Sequence, residues 1–354
     1  MTANARRLAY FERWVDPVAE EMLRARPEID LIRLAYADSG GDNAATMARA
    51  HGYQIAPRTE LREPWFADAS LLRRCPQLLA ISSTGAGFDM VDVAACTAAG
   101  VIVCNQSGSN KEAVAEHALG LMLALAKNIG ATDRALRRTA GLERFAYTGR
   151  ELAGRTVGIV GIGQIGTRTA ALCRGLFGMT VLAHDPYLSD AEVATRGAAK
   201  VPLDELLARA DFVSVHCPRN EETFGMFGAA EFARMKPTAY FVNTARGGIH
   251  DESALAAALA GRRIAGAGLD VFLVEPPAPD HPLLAFENVI ATPHIAGITE
   301  EALRNMAAAA AEQWITLFAG RVPPRLVNPA AWPLYSQRFE ALLGIRPDPL
   351  PGGP

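Results

Sequence analysis

The stretch from Arg155 to Phe177 constrains this chain more than any other. Arg155-Thr-Val-Gly-Ile-Val-Gly161 is a short β-branched run ending in glycine, and Gln164 to Phe177 then carries apolar residues at helical spacing. The order is strand, tight turn, helix, and the turn reads Gly161-Ile-Gly163-Gln-Ile-Gly166. In such a turn the first glycine permits the bend, the second lets a pyrophosphate approach the backbone, and the third brings helix and strand close. Three glycines alone could equally be a tight turn in a glycine-rich chain. Asp185 supplies the context, because it ends the next strand about 20 residues on, where a carboxylate accepts from the adenosine ribose hydroxyls. Its charge would repel a 2′-phosphate, and no Arg or Lys follows in His184-Asp-Pro-Tyr-Leu-Ser189. The pattern predicts NAD, with NADP disfavoured by Asp185.

The alternation continues downstream. Strands are expected at Thr180–His184, Asp211–His216, Ala239–Asn243, Ile264–Leu269 and Asn288–Thr292, with helices at Leu203–Arg209, Ala229–Met235 and Asp251–Ala260. Near-continuous apolar strands separated by helices imply a parallel sheet covered on both faces, a doubly wound α/β domain of Rossmann type. The first hundred residues read as a smaller, flavodoxin-like α/β domain. Its strands are expected at Leu8–Phe11, Ile29–Leu34, Leu78–Ser82 and Val101–Cys104, and its helices at Asp16–Arg26 and Asp42–Ala50. Helices at Ala113–Ala126 and Ala131–Thr139, broken by Asn128-Ile-Gly130, lie between the two domains. A late helix, Glu300–Ala319, precedes a Pro-rich tail expected to be extended or frayed.

Composition narrows the function. With 50% hydrophobic and 21% charged residues over 354 positions the chain is an ordinary globular one. Its 35 basic and 38 acidic side chains give a net charge of −3, which offers no excess of cations to a phosphate backbone or an anionic membrane. Nucleic acid is not expected as a partner. The longest apolar helical stretch, Ala118–Ala126, is too short to span a bilayer, and no signal-peptide core opens the chain, so a cytoplasmic location is expected. Five cysteines without a C-x-x-C pair suggest free buried thiols, and seven scattered histidines suggest no metal site.

Function must come from charged residues at strand ends, where ligands meet open α/β sheets. Arg246 follows the strand ending Asn243-Thr-Ala, Asp270 ends Gly268-Leu-Asp, Glu275 lies five residues later, and His294 follows Ala291-Thr-Pro293. Each type suits hydride chemistry on a 2-hydroxy acid. A hydroxyl carbon releases hydride only if its proton leaves too, and His is best poised to take that proton near neutral pH. Glu275 bonded to His294 would orient the ring, and the planar fork of Arg246 would hold the substrate carboxylate. Singly, each could be a surface or turn residue; at successive strand ends below a nucleotide fingerprint, coincidence is a weaker explanation.

These residues carry a resemblance. Gly158–Gly166, His216-Cys-Pro218 with Glu222-Thr223, Asn243–Leu255, Gly268–Phe272 with Glu275-Pro276, and Asn288–Gly297 are similar to the ordered motifs of the D-isomer-specific 2-hydroxyacid dehydrogenase family, as are Gly85–Asp89 and Ala115–Leu119. The resemblance implies that Arg246, Glu275 and His294 are catalytic. It further implies cofactor contacts from Gly161, Gly163, Gln164, Ile165, Gly166, Asp185, His216, Cys217, Pro218, Thr244, Ala245, Arg246, Asp270, His294 and Gly297, with Asp270 near the nicotinamide carboxamide. Backbone N–H groups at Ala86 and Gly87 would meet the substrate carboxylate, alongside Arg246. The family architecture inserts the Rossmann domain, residues 107–298, into a discontinuous substrate domain of residues 1–106 and 299–354, with the active site in the cleft and a homodimer contact through the helices at 113–139.

Departures from the family pattern bear on substrate. Ser83 stands where many phosphoglycerate dehydrogenases have a basic residue, which weakens a phosphorylated substrate unless Arg58 compensates. Ala86 replaces the lysine of phosphite dehydrogenases, and Glu275 is absent from formate dehydrogenases, so both branches are disfavoured. His250 stands where valine is more usual, without an explanation from sequence. The alternative to an enzyme is an NAD(H)-sensing interaction protein of corepressor type, which keeps the nucleotide domain and shows little turnover.

Overall fold

The computed structural model describes residues 5–38, 40–57 and 60–351; Arg58 and the closing Gly352-Gly-Pro354 lie outside the described residues. The chain divides into two compact units, Met1–Asn110 with Thr299–Pro354, and Lys111–Ile298.

The first unit is built on five parallel strands, β1 (Arg6–Phe11), β2 (Ile29–Leu34), β3 (Gly52–Gln54), β4 (Ala80–Ser82) and β5 (Ile102–Cys104), in the order β2-β1-β3-β4-β5. This is the flavodoxin-type order. Sequence reading missed β3, whose three residues include a glycine and a glutamine and carry no strand pattern of their own. Packing explains both: a Cβ on Gly52 would lie 2.5 Å from the Trp314 ring, and Gln54 Oε1 accepts from Trp314 Nε1 at 2.8 Å. Trp314 belongs to the long helix Glu300–Phe318, capped by the Thr299 side chain accepting from Ala302 N, with Glu300 and Glu301 in its first turn. One face of the sheet, including Leu8, Tyr10, Leu79 and Ile102, packs against Trp314, Phe318, Tyr335 and Phe339.

The Pro-rich tail corrects an expectation. Instead of running extended, it forms the helix Trp332–Leu343 with proline in its first turn, where the missing N–H costs nothing, and it ends at Gly344 with φ of 69°. Trp332, Tyr335, Phe339 and Leu343 are buried, so its apolar residues recur at helical spacing inside a segment whose prolines suggested otherwise.

The second unit holds seven parallel strands, β6 (Thr156–Val160), β7 (Thr180–His184), β8 (Ala199–Lys200), β9 (Phe212–Val215), β10 (Tyr240–Asn243), β11 (Gly266–Leu269) and β12 (Val289–Ala291), ordered β12-β11-β10-β9-β6-β7-β8. The order reverses between β6 and β9, and the loops that leave their C-terminal ends carry Gly161 and His216. Such a switch point is where doubly wound sheets take their ligands. The helix Lys111–Ala126 is apolar nearly all round and buried, and a Cβ on Gly268 of β11 would come within 3.0 Å of Leu121. The break after it is Lys127-Asn128, with Asn128 at φ of 54°, and the next helix runs Ile129–Arg138. Asparagine tolerates that left-handed conformation, so Ile129 and Gly130 are already helical.

No helix among the described residues is long and apolar enough to cross a membrane. All five cysteines are free thiols, four of them buried and Cys217 half-buried.

Candidate active site

The three fingerprint glycines have different reasons to be glycine. Gly161 has φ of 85°, and a Cβ there would lie 2.6 Å from Cys217 N. At Gly166 a Cβ would meet the Gly161 carbonyl at 2.3 Å. Both are required by the protein itself. Gly163, the N-cap of the helix Gln164–Phe177, has nothing within 4 Å of a built Cβ, so open space lies over the helix N-terminus where N–H groups point outward. Gln164 and Ile165 form its first turn. Asp185, directly after β7, accepts from Ile162 N and from Tyr187 N, each at 3.2 Å, which ties it to the glycine turn.

His216, Cys217 and Pro218 leave β9 beside that turn. Ser214 Oγ bonds His216 Nε2 at 2.9 Å, while Nδ1 is buried without a partner among the described residues, and burial pulls the ring down to about 4 from its ordinary value. Thr244, after β10, also has a buried Oγ1 without a partner among the described residues. Two polar atoms left unpaired at positions expected to touch a cofactor fit a site completed by one.

His294, Glu275, Arg246 and Asp270 come together at the ends of β10, β11 and β12. His294 Nδ1 lies 2.7 Å from Glu275 Oε2. A carboxylate only accepts, so Nδ1 carries the proton and Nε2 is the basic nitrogen. Glu275 Oε1 accepts from Phe272 N at 3.0 Å. Burial alone would raise the Glu275 carboxyl; the His294 hydrogen bond and charge, the Phe272 N–H and the Arg246 charge outweigh it and hold the carboxyl below its ordinary range. Arg246 reaches this neighbourhood because Gly247 has no side chain: a Cβ there would lie 1.8 Å from the Phe272 carbonyl oxygen.

Asp270 is almost fully buried and is the anchor of the His294 loop. Its Oδ1 accepts from Thr292 Oγ1 at 2.6 Å and from Ile295 N at 2.9 Å, and its Oδ2 from Ala296 N at 2.9 Å. Its carbonyl accepts from His294 N at 2.8 Å. These bonds hold His294 at φ of 57°, a conformation uncommon for a side chain of this kind. Sequence reading missed the support behind Asp270. His117, on the helix Lys111–Ala126, has Nε2 3.0 Å from Thr292 Oγ1 and 3.7 Å from Asp270 Oδ1. Because the Thr292 hydroxyl gives its proton to Asp270, it accepts from His117. It also missed Arg196, whose Nη1 donates to the Ile162 carbonyl at 2.6 Å and which lies beyond the segment in which a cation near Asp185 was sought.

In the first unit, the loop with Ala86 and Gly87 is half-buried and pinned by its carbonyls. Asn105 Nδ2 donates to Ala86 O at 2.9 Å, and Ser83 Oγ and Gln106 N donate to Gly85 O at 2.8 and 2.9 Å. Ser83 thus spends its hydroxyl on the loop.

Residues 119–296 match the family model described as D-isomer specific 2-hydroxyacid dehydrogenase, NAD binding domain. The chain belongs to the D-isomer specific 2-hydroxyacid dehydrogenase family. It is 38% identical over 349 residues to a D-3-phosphoglycerate dehydrogenase of Mycobacterium bovis, covering 96% of this chain and 60% of that relative's length. Among solved structures it is similar to D-lactate dehydrogenase from Aquifex aeolicus complexed with NAD and lactic acid, at TM-score 0.75 and 27% identity over 88% of this chain and 96% of that one. It is also similar to an NADPH-dependent glyoxylate/hydroxypyruvate reductase from Sinorhizobium meliloti in complex with NADP and malonate, at TM-score 0.76 and 26% identity over 98% and 100% of the two chains.

Proposed function

We propose that this family member is an NAD-dependent oxidoreductase that interconverts a D-2-hydroxy acid and its 2-keto acid. The observation that carries the reading is the 2.7 Å bond between His294 Nδ1 and Glu275 Oε2, within reach of the Arg246 charge. Support for the coenzyme comes from the open space over Gly163, the unpaired Thr244 Oγ1 and His216 Nδ1, and the placement of Asp185. A nicotinamide held there would supply the hydride acceptor for oxidation at the hydroxyl carbon and the hydride donor for the reverse reduction.

The side chains supply the proton chemistry. In oxidation His294 Nε2 takes the hydroxyl proton, and Glu275, kept ionised, stabilises the imidazolium; in reduction the same imidazolium returns the proton to the carbonyl oxygen. Arg246 pairs with the substrate carboxylate. Asp270 positions the catalytic loop through its bonds to Thr292, Ile295 and Ala296. Asp185 favours NAD over NADP. The reading extends to a homodimer through residues 113–139, supported by the helix Ile129–Arg138, which buries no residue in the single chain and leaves Leu136 71% exposed.

The test is NADH oxidation against glyoxylate, hydroxypyruvate, pyruvate, branched and aromatic keto acids, and phosphohydroxypyruvate. Turnover of one class, reduced about 10²–10⁴-fold in His294→Ala with NADH affinity retained, is expected. Tight NADH binding with silence across the panel would favour the sensing alternative.

A further inference from the structure

His250 is a buried, polar residue in a place that needs none for packing, and its surroundings show what it holds. The ring is 1% exposed and packs edge-on against Phe241 at 5.5 Å. Its Nδ1 lies 3.0 Å from Nδ2 of Asn243, which is itself fully buried at the end of β10. A carboxamide nitrogen only donates, so Nδ1 is the acceptor and the ring proton sits on Nε2. Asn243 then spends its other bonds on the turn that carries Arg246: Nδ2 also donates to Arg246 O at 3.0 Å, and Oδ1 accepts from Ala245 N at 2.9 Å.

We infer that His250 is a positioning residue for Arg246, acting through the Asn243 carboxamide, which it helps to hold by accepting from one of its two N–H groups. An Asn amide can be turned by half a revolution with little change of shape, and only its partners decide which end is which. Here a turned amide would set its NH₂ against Ala245 N–H and its oxygen against the Arg246 carbonyl. The Ala245 N–H and the Arg246 carbonyl oppose that arrangement, and an imidazole whose proton sits on Nε2 opposes it further; burial keeps the ring neutral, pulling its pKa down to about 4 against the opposing pull of Glu252 and Asp251 and with a small push from His281. The inference rests on the reading of Arg246 as the carboxylate-binding group.

The experiment compares His250→Leu, which removes the acceptor, with His250→Asn, which can return an oxygen near the Nδ1 position. Oxamate, a small carboxylate analogue of a 2-keto acid, serves as the probe on the NADH-saturated protein. In His250→Leu the oxamate Kd should rise on the order of tenfold while the NADH Kd moves less than about twofold, and His250→Asn should recover most of the loss. Amide exchange at Ala245 should quicken by a similar factor in the first variant and not in the second. Unchanged oxamate affinity and exchange in His250→Leu, or losses shared equally with NADH and not recovered by His250→Asn, would overturn the inference. If His250→Leu does not fold, imidazole ¹⁵N spectra of the unaltered protein decide: an Nε2–H tautomer with Nδ1 accepting supports it, and an Nδ1–H tautomer refutes it. If the unaltered protein neither binds oxamate nor reduces any keto acid, the proposed function falls, whereas Ala245 exchange still settles what His250 holds.

Discussion

Gly163→Ala separates the needs of the fold from those of a ligand. The backbone there has a negative φ of −71°, and a Cβ meets no heavy atom within 4 Å. Alanine is a poorer N-cap than glycine by a few tenths to about 1 kcal/mol, and it gains roughly 0.4–1 kcal/mol by stiffening the unfolded chain. The two nearly cancel, so stability should stay within about 0.5 kcal/mol and Tm within about 2 °C of the parent. A methyl in the open space over the helix N-terminus would instead hold a pyrophosphate off at least one N–H. A hydrogen bond to a charged group contributes roughly 1.5–3 kcal/mol, which weakens NADH about 10- to 100-fold. Gly166→Ala is the internal contrast, since its Cβ would sit 2.3 Å from the Gly161 carbonyl oxygen. Overpacking against backbone should cost about 1–3 kcal/mol, visible as a fall in Tm without ligand. Scanning calorimetry and NADH fluorescence titration read the two quantities separately. Parental NADH affinity in Gly163→Ala, or a loss seen only with an equal loss of Tm, would refute the argument.

Asp185→Ala should weaken NADH about tenfold and narrow its advantage over NADPH, since Arg196 stays beside the Ile162 carbonyl; an unchanged coenzyme ratio in steady-state kinetics would count against the ribose assignment. Asp270→Asn offers one acceptor oxygen where three bonds now end on two, so turnover should fall and stability drop by about 2–4 kcal/mol; a Tm equal to the parent's would show that the loop holds itself. Acid should destabilise the protein before most carboxylates titrate. His51 and His250 are buried, and both are pulled down to about 4, so each is neutral in the fold and protonates first in the unfolded chain. Their contribution is complete above about pH 6.5 and is lost as the pH falls toward 4, on the order of 3 kcal/mol each. A Tm flat between pH 6.5 and 4.5 would contradict it.

The fold of the second unit was legible because its signals are local. A β-branched run, a glycine turn and an acid at the next strand end occupy one short stretch, and Arg246, Glu275 and His294 lie in the loops that leave successive strands. What stayed hidden depends on distant partners. β3 exists through Trp314, which lies far along the chain, and the tail helix is recognisable only once its apolar side chains have a sheet to cover. His117 lay in a matched stretch without an assigned role, and Arg196 gave no signal, since neither sits at a strand end; the first supports Asp270 through a threonine hydroxyl, and the second reaches back to a carbonyl. Asn243 and His250 were visible within a matched motif, and only their geometry shows that one turns on the other.

The flavodoxin-type unit draws its sheet from the first part of the chain and much of the cover of one face from the last. A growing chain therefore releases β1 to β5 with Leu8, Tyr10, Leu79 and Ile102 still lacking Trp314, Phe318 and Phe339. The nucleotide unit, continuous in sequence, is complete before Glu300–Phe318 has been made. Maturation on the ribosome thus runs from the middle outward: the interrupting unit closes first, and the unit it interrupts waits with a greasy face uncovered, a window in which chaperones and aggregation compete for it.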